Sequence, residues 1–367
     1  MSKLNAAPEA FTFDDFMLAP VHSEVMSRKD PDVSVDLPTL TTKIPVISSP
    51  MNTVTEEDML CTMRNLGGTG VLHRYMDIGR QIKIASDLMT RGTIGEHGGF
   101  DDFFVAVGAN GDLEERVSEL LDAGVTRFCV DVANGHSAHC LSAVSLIKKL
   151  SSVAVVMAGN VCTYDGAYNL ASVGADLIRV GIGPGSVCTT RLVTGHGVPQ
   201  LTAIEDCAKI KWKSNGFGNG LVGSKFKDVV IVADGGIRSS GDAIKALAIG
   251  ADAVMLGGML SGTSDTPGDT HKNPDTGMLY KYYHGMASEA GRESWFERSK
   301  TAFVPEGEST KVPYKGDTSR VIEQFVAGLR VGMSYAGALS LTELRSNARW
   351  VKISGAGGIE GTPHGKR

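Results

Sequence analysis

The chain has 367 residues, 42% of them hydrophobic, enough to bury a full core as one large domain or two. Its net charge of −5 lacks the basic footprint of a nucleic-acid binder, no apolar run approaches the ~18 residues that span a bilayer, and the first residues hold no secretory core. Six scattered cysteines (Cys61, Cys129, Cys140, Cys162, Cys188, Cys207), with no CxxC pair and no metal-ligand spacing, predict reduced thiols in a cytoplasmic protein.

From residue 104 onward one unit repeats: an apolar run, a polar loop, an amphipathic helix, then glycine before the next run. The helix predicted over 112–123 places Leu113, Val117, Leu120 and Leu121 on one face, opens on Asp112 and Glu115 as a capping box, and stops at Gly124. Buried-strand runs follow at 127–132, 153–157, 177–180, 229–233 and 253–256, and two helices close with the same Gly-Ala-Asp punctuation at 174–176 and 250–252. Residues 211–227 are glycine-rich and read as a surface loop. Residues 261–315 show neither helical nor strand period and read as a long lid.

Near-continuous apolar strands alternating with helices predict a parallel sheet covered on both faces. Polar residues cluster just after each strand: Asp131 to Asn134, Gly159-Asn160, Gly181 to Thr190, Asp234 to Gly236, and Gly257-Gly258. A doubly wound sheet also keeps ligands at strand ends, but no GxGxxG follows a first strand and five strands carry polar loops. The expectation is therefore a single-domain (β/α)8 TIM barrel over 1–367, with an active-site flap at about 261–315 and no regulatory insertion.

The loop 181–191, Gly-Ile-Gly-Pro-Gly-Ser-Val-Cys-Thr-Thr-Arg, carries the most chemistry. Its glycines let backbone approach an ion or an anionic group closely, and Cys188 stands where a strand-end nucleophile belongs; a buried, inert cysteine is the alternative. Gly235-Gly236 and Gly257-Gly258 end the last two strong strands, each before a helix-like segment (239–246 and 259–262), as in the phosphate cradles of barrels. Asp234 at a strand end suits a ribose diol, since a carboxylate accepts from both hydroxyls. His136 and His139 lie three apart at a helix start, but no further ligand completes a metal set.

Residues 13–20, 48–54, 159–161, 181–191, 233–238 and 304–307 resemble the IMP dehydrogenase/GMP reductase family over about residues 10–355. The resemblance implies a tetrameric TIM barrel that binds a purine 5′-monophosphate and a nicotinamide dinucleotide. It implies that Cys188 is the nucleophile at purine C2, that Ser186, Gly236, Gly257, Gly258 and Tyr283 hold phosphate, and that Asp234 holds the ribose. Ser49, Met51, Met286, Ala287 and Glu306 fall to the base region, and Arg74, Asp131, Asn134, Asn160, Gly181 and Gly183 to the cofactor side. In the dehydrogenases, carbonyls at the positions of Gly183, Gly185 and Cys188 bind potassium.

The family holds two chemistries. A dehydrogenase hydrolyses its covalent adduct with an Arg-Tyr pair on the flap; a reductase needs a proton donor for departing ammonia. Residues 285–307 contain no Arg-Tyr pair, and Ser288-Glu289 resembles the reductase version, in which the glutamate works with the threonine at position 190. Residues 131–135 point the same way. Residues 304–307, 312–316 and 353–357 read more like a bacterial dehydrogenase, and Asn52, Arg74 and His284 depart from family patterns. The expectation is an NADPH-dependent GMP reductase with Cys188, Thr190 and Glu289 as catalytic residues. A dehydrogenase, an enzyme for an altered purine nucleotide and a non-catalytic nucleotide sensor are the alternatives. No arginine is placed for the 2′-phosphate of NADPH.

Overall fold

The computed structural model describes residues 7–91, 102–214, 221–293 and 304–363. Eight parallel strands close into a barrel: β1 (Val46–Ser48), β2 (Thr69–Leu72), β3 (Phe104–Val107), β4 (Arg127–Asp131), β5 (Val155–Val161), β6 (Leu177–Val180), β7 (Val230–Asp234) and β8 (Ala253–Leu256). Closure comes from β8 against β1, where Val254, Met255 and Leu256 pair with Val46, Ile47 and Ser48. The strands are apolar on both faces because both are covered. Ile47, Val71, Phe104, Cys129, Met157, Leu177, Val232 and Met255 point inward and fill the barrel, while Val46, Leu72, Val105, Val130, Ile178, Ala233 and Val254 pack outward against helices.

The longer helices are α1 (Glu57–Asn65), α2 (Ile78–Arg91), α3 (Leu113–Asp122), α4 (Ala138–Leu150), α5 (Tyr164–Ser172), α6 (Gln200–Ala208), α7 (Ser240–Ile249) and α8 (Thr318–Tyr335). Ser137, Thr163 and Ser239 cap α4, α5 and α7 by accepting from the third helical amide. Helix α3 buries Leu113, Val117 and Leu120 as its pattern requires. The expected capping box does not form: the Asp112 carboxylate instead receives Arg116, at 2.7 and 3.0 Å. A buried guanidinium has no water to turn to, so it claims the acid.

Two expected loops contain strands. Trp212–Ser214 pairs with Leu221–Gly223 as a hairpin inside the stretch read as a glycine-rich loop. The lid region holds a three-stranded antiparallel sheet of His271–Lys272, Leu279–His284 and Ser309–Pro313. Its central strand does alternate, but the inward position between two tyrosines is Lys281. That ammonium is buried and satisfied by the Ser264 and Thr266 carbonyls and the Thr266 hydroxyl. A lysine at an inward site masks the period of two. The part of the flap at 294–303 lies outside the described residues. Among the described residues no helix is long and apolar enough to cross a membrane.

Candidate active site

All eight strands end on one face, and the polar loops there build the site from three backbone devices. Gly181 and Gly183 open the loop after β6 with φ of +144° and +79°, and a Cβ at Gly181 would lie 2.1 Å from the Asp234 carbonyl oxygen. Arg191 then pins the loop, donating to the Ile182 carbonyl at 3.0 Å and the Val198 carbonyl at 2.7 Å. Last, residues 306–308 run antiparallel to the cysteine loop. Cys188 bridges to Gly307, the Thr189 amide donates to the Glu306 carbonyl at 3.0 Å, and the Glu308 amide to the Val187 carbonyl at 2.9 Å.

This crossing sets a side-chain chain. The Cys188 thiol donates to Thr190 Oγ1 at 3.3 Å, and that hydroxyl donates to Glu306 Oε2 at 2.7 Å. The threonine–glutamate contact expected at Glu289 is thus formed by Glu306, a residue expected at the base. Glu289 instead stands exposed at the start of the short helix Glu289–Glu293. The reason is backbone register: the cysteine loop is paired with 306–308, and the chain reaches Glu289 only after turning away at Ser288, whose amide bonds the Gly285 carbonyl.

Two adjoining cavities flank this chain. The larger, about 590 Å³, is lined by Ser49, Met51, Ser186, Asp234, Gly236, Gly257, Gly258 and Tyr283, so the expected phosphate and ribose residues meet there. The smaller, about 370 Å³, is lined by Cys188, Thr190, Met286, Ala287 and Glu306, together with Arg74, Asp131, Asn160, Gly181 and Gly183. Asn134 does not line either; it is exposed, and its side-chain oxygen accepts from the His136 amide at 3.1 Å. Ser49, Met51, Asp234 and Tyr283 belong to both walls and mark the passage between them.

The glycine pairs follow β7 and β8, and both Gly235 and Gly236 have positive φ (+88° and +78°). A Cβ on Gly258 would come within 2.8 Å of Ser186 Oγ, so the absent side chain makes room for that hydroxyl. Residues 259–262 form a turn in which the Leu260 and Ser261 amides both donate to the Gly257 carbonyl, not the expected helix start. Burial pushes the Tyr283 hydroxyl above the ordinary tyrosine value of 10.0, against the opposing pull of its hydrogen bond to Ser186. The Ser49 hydroxyl is buried without a hydrogen-bond partner among the described residues and lines both cavities, so it is a group a ligand can satisfy. Elsewhere burial pushes the Cys129 and Cys140 thiols up to about 12, and raises that of Cys207 too. Among the six cysteines, Cys188 lines these cavities.

The sequence profile of the IMP dehydrogenase / GMP reductase domain matches residues 10–364. The chain belongs to this family. It is a family of oxidoreductases that use nicotinamide cofactors. Among curated relatives, inosine-5′-monophosphate dehydrogenase of Cryptosporidium parvum is 37% identical, covering 97% of this chain and 95% of the relative. The enzyme of the same name from Nitrosopumilus maritimus is 32% identical over 483 aligned positions, covering 97% of this chain and 98% of the relative. Among solved structures, a cysteine-to-alanine variant of GMP reductase from Trypanosoma brucei in complex with guanosine 5′-monophosphate superposes with a TM-score of 0.89 at 28% identity, covering 100% of both chains. Like the members of the family, this chain has the architecture of a TIM barrel with its loops at the strand C-termini.

Proposed function

We propose that this protein is a GMP reductase that converts GMP to IMP and ammonia through a covalent bond between Cys188 and purine C2. The observation that carries this reading is the chain Cys188–Thr190–Glu306, because deamination at C2 requires the one proton that the chain handles. The thiol proton passes through the Thr190 hydroxyl to Glu306 as sulfur attacks C2. The same route returns that proton to the amino group, which leaves as ammonia, and the purine stays bound to sulfur as a thioimidate. One proton leaves sulfur and one arrives on nitrogen, so the step balances without a water. The flap stretch 285–307 also lacks the Arg-Tyr pair with which the dehydrogenases activate water for hydrolysis.

Several features support the placement of the nucleotide. The Ser49 hydroxyl gains a partner, Asp234 faces the ribose diol, and the amides of the turns at 235–236 and 257–258 take the phosphate with Ser186 and Tyr283. The cavity wall of Arg74, Asp131, Asn160 and Gly181 to Gly183 beside Cys188 fits a nicotinamide dinucleotide, which when bound supplies the hydride that takes the place of sulfur at C2. Carbonyls at Gly183, Gly185 and Cys188, the positions that the family resemblance assigns to potassium, would offer donors without carboxylates, which suits a monovalent cation. A homotetramer belongs to the same proposal, supported by the family resemblance.

A second reading is supported by the relatives' names. The curated relatives at 32–37% identity over nearly the whole chain are called inosine-5′-monophosphate dehydrogenases. Ultraviolet absorbance of the reduced dinucleotide separates the two. Loss of NADPH with GMP, with ammonia formed in equal amount, is the expected result. Appearance of NADH with IMP replaces the proposal by the dehydrogenase, and neither signal with tight GMP binding replaces it by a nucleotide sensor.

A further inference from the structure

Arg179 lies in the floor of the cavity that contains Cys188, and the chemistry above leaves it without a role. It projects inward from β6, between Asp131 at the end of β4 and Asp234 at the end of β7. One terminal nitrogen donates to Asp131 Oδ1 at 2.6 Å; the other terminal nitrogen and Nε donate to Asp234 Oδ2 at 2.7 and 3.2 Å. Asn160 adds a further donor to the same Asp234 oxygen at 2.8 Å. The arginine side chain is 6% exposed, with the two carboxylates at 17% and 16%. Burial works against its charge, but Asp234 and Asp131 hold it well above the ordinary arginine value, so the cation persists at every working pH.

A guanidinium is a flat, rigid fork, so two carboxylates bonded to different edges are fixed relative to each other. Each gives the fork one oxygen. Asp234 Oδ1 and Asp131 Oδ2 stay outside those bonds, on residues that line the cavity; Arg74 Nε stands 3.9 Å from the latter. Without the arginine, two buried acids would repel, and each would be free to change rotamer.

We propose that Arg179 is a positioning residue that aims Asp234 at the ribose diol of the nucleotide and Asp131 at the dinucleotide together, so that one side chain tunes both subsites. This rests on the reading that puts the nucleotide against Asp234 and the dinucleotide against Asp131.

The test is equilibrium binding, with no turnover, of GMP, of 2′,3′-dideoxy-GMP and of NADPH to the whole protein and to Arg179→Gln. The parent is expected to prefer GMP over the dideoxy nucleotide by about tenfold or more, since a buried acceptor left unpaired is costly. Arg179→Gln should cut that preference to about threefold or less while dideoxy-GMP binds nearly as before, and NADPH affinity should fall about tenfold. A purely structural defect would weaken both nucleotides alike and leave their ratio intact. Arg179→Lys keeps the charge but not the fork, and should give an intermediate ratio. A parent-like ratio in whichever variant folds, or a reduced ratio with NADPH binding untouched, overturns the proposal. A parent that binds GMP without preferring it to the dideoxy form removes Asp234 from the diol and takes the proposal with it. Absence of GMP binding altogether instead overturns the functional reading on which it stands.

Discussion

At the scale of single residues, the site depends on which acid touches Thr190. The structure puts Glu306 at 2.7 Å from its hydroxyl and leaves Glu289 exposed, so replacing each of these glutamates by glutamine should have different effects. Glu306→Gln is expected to lower kcat about 10²- to 10³-fold with little change in nucleotide affinity, the usual weight of a positioned proton carrier. Glu289→Gln should change kcat by less than about tenfold. Steady-state kinetics with GMP decides between them, and the reverse ranking would return the role to Glu289. Cys188→Ala should abolish turnover while GMP binding stays within about tenfold, because the sulfur forms a bond that binding does not need. Tyr283 gives a pH argument. Its hydroxyl is raised above 10.0 by burial, so the folded protein keeps the proton where the unfolded chain begins to lose it. Stability from this group is therefore intact below 10.0 and declines as pH climbs through the raised value. Nucleotide affinity should accordingly show no tyrosine titration between about pH 7 and 9. A break in the binding curve within that range that disappears in Tyr283→Phe would contradict the assignment. The cysteine loop was legible as sequence because its residue types are rare in that order. Glu306 was legible as a site residue through the family resemblance, but its contact with Thr190 was not, since that contact spans 116 positions and depends on backbone pairing that no local pattern reveals.

At the scale of elements, the paired turns after β7 and β8 make a device that the glycines announce. Their conformations and close approaches disfavour a side chain: Gly236 has φ of +78°, and a Cβ on Gly257 would meet Ser49 Oγ at 3.0 Å and Met51 Sδ at 3.2 Å, so both neighbours would have to give. Gly258→Ala presses on Ser186 without straining the backbone, and so tests the phosphate corner alone. The expected result is a rise of about tenfold in the KM for GMP, with guanosine binding unchanged, which fits the loss of one charge-assisted hydrogen bond. Equal losses for nucleotide and nucleoside would place the damage in the base or ribose region instead. The strands on either side were legible from apolar runs, and six of the barrel's eight were read to within a few residues, β3 from the run that opens the repeat at residue 104. The strands β1 and β2 were not, because Ser48 in the one and Thr69 and Gly70 in the other cut their apolar runs short. The sheet in 261–315 was missed for another reason. It is a half-solvated antiparallel layer whose inward lysine is satisfied by carbonyls, so alternation of apolar and polar residues is not its signature.

At the scale of the whole molecule, a parallel barrel separates its chemistry from its fastening. Every strand delivers its C-terminus to the site, while the N-terminal end is free to be optimised for stability. Asp252, just before β8, is the clearest fastener at that end. Its buried carboxylate accepts from the Ile231 amide at 2.7 Å, from Lys211 at 2.8 and 2.9 Å, and from Arg345 at 2.9 Å. It thus ties β7 and β8 to the segment after α6 and to the helix Leu341–Asn347. Gly257, at the site, lies five residues further along the same strand, on the order of 15 Å away at strand rise. Removing the carboxylate takes the acceptor from Lys211 and the Ile231 amide and leaves Arg345 with only the Leu247 and Ala251 carbonyls, a loss of about 2–3 kcal/mol. Asp252→Ala should therefore lower Tm by a few degrees. At temperatures where the variant is folded, kcat/KM for GMP should match the parent, because nothing bonded to Asp252 reaches the cavity walls. Calorimetry and kinetics on the same preparation check both halves. A fall in kcat/KM that tracks the fall in Tm would mean that the two ends of the barrel are mechanically joined, most directly through Asp234 at the far end of the strand whose Ile231 amide Asp252 holds.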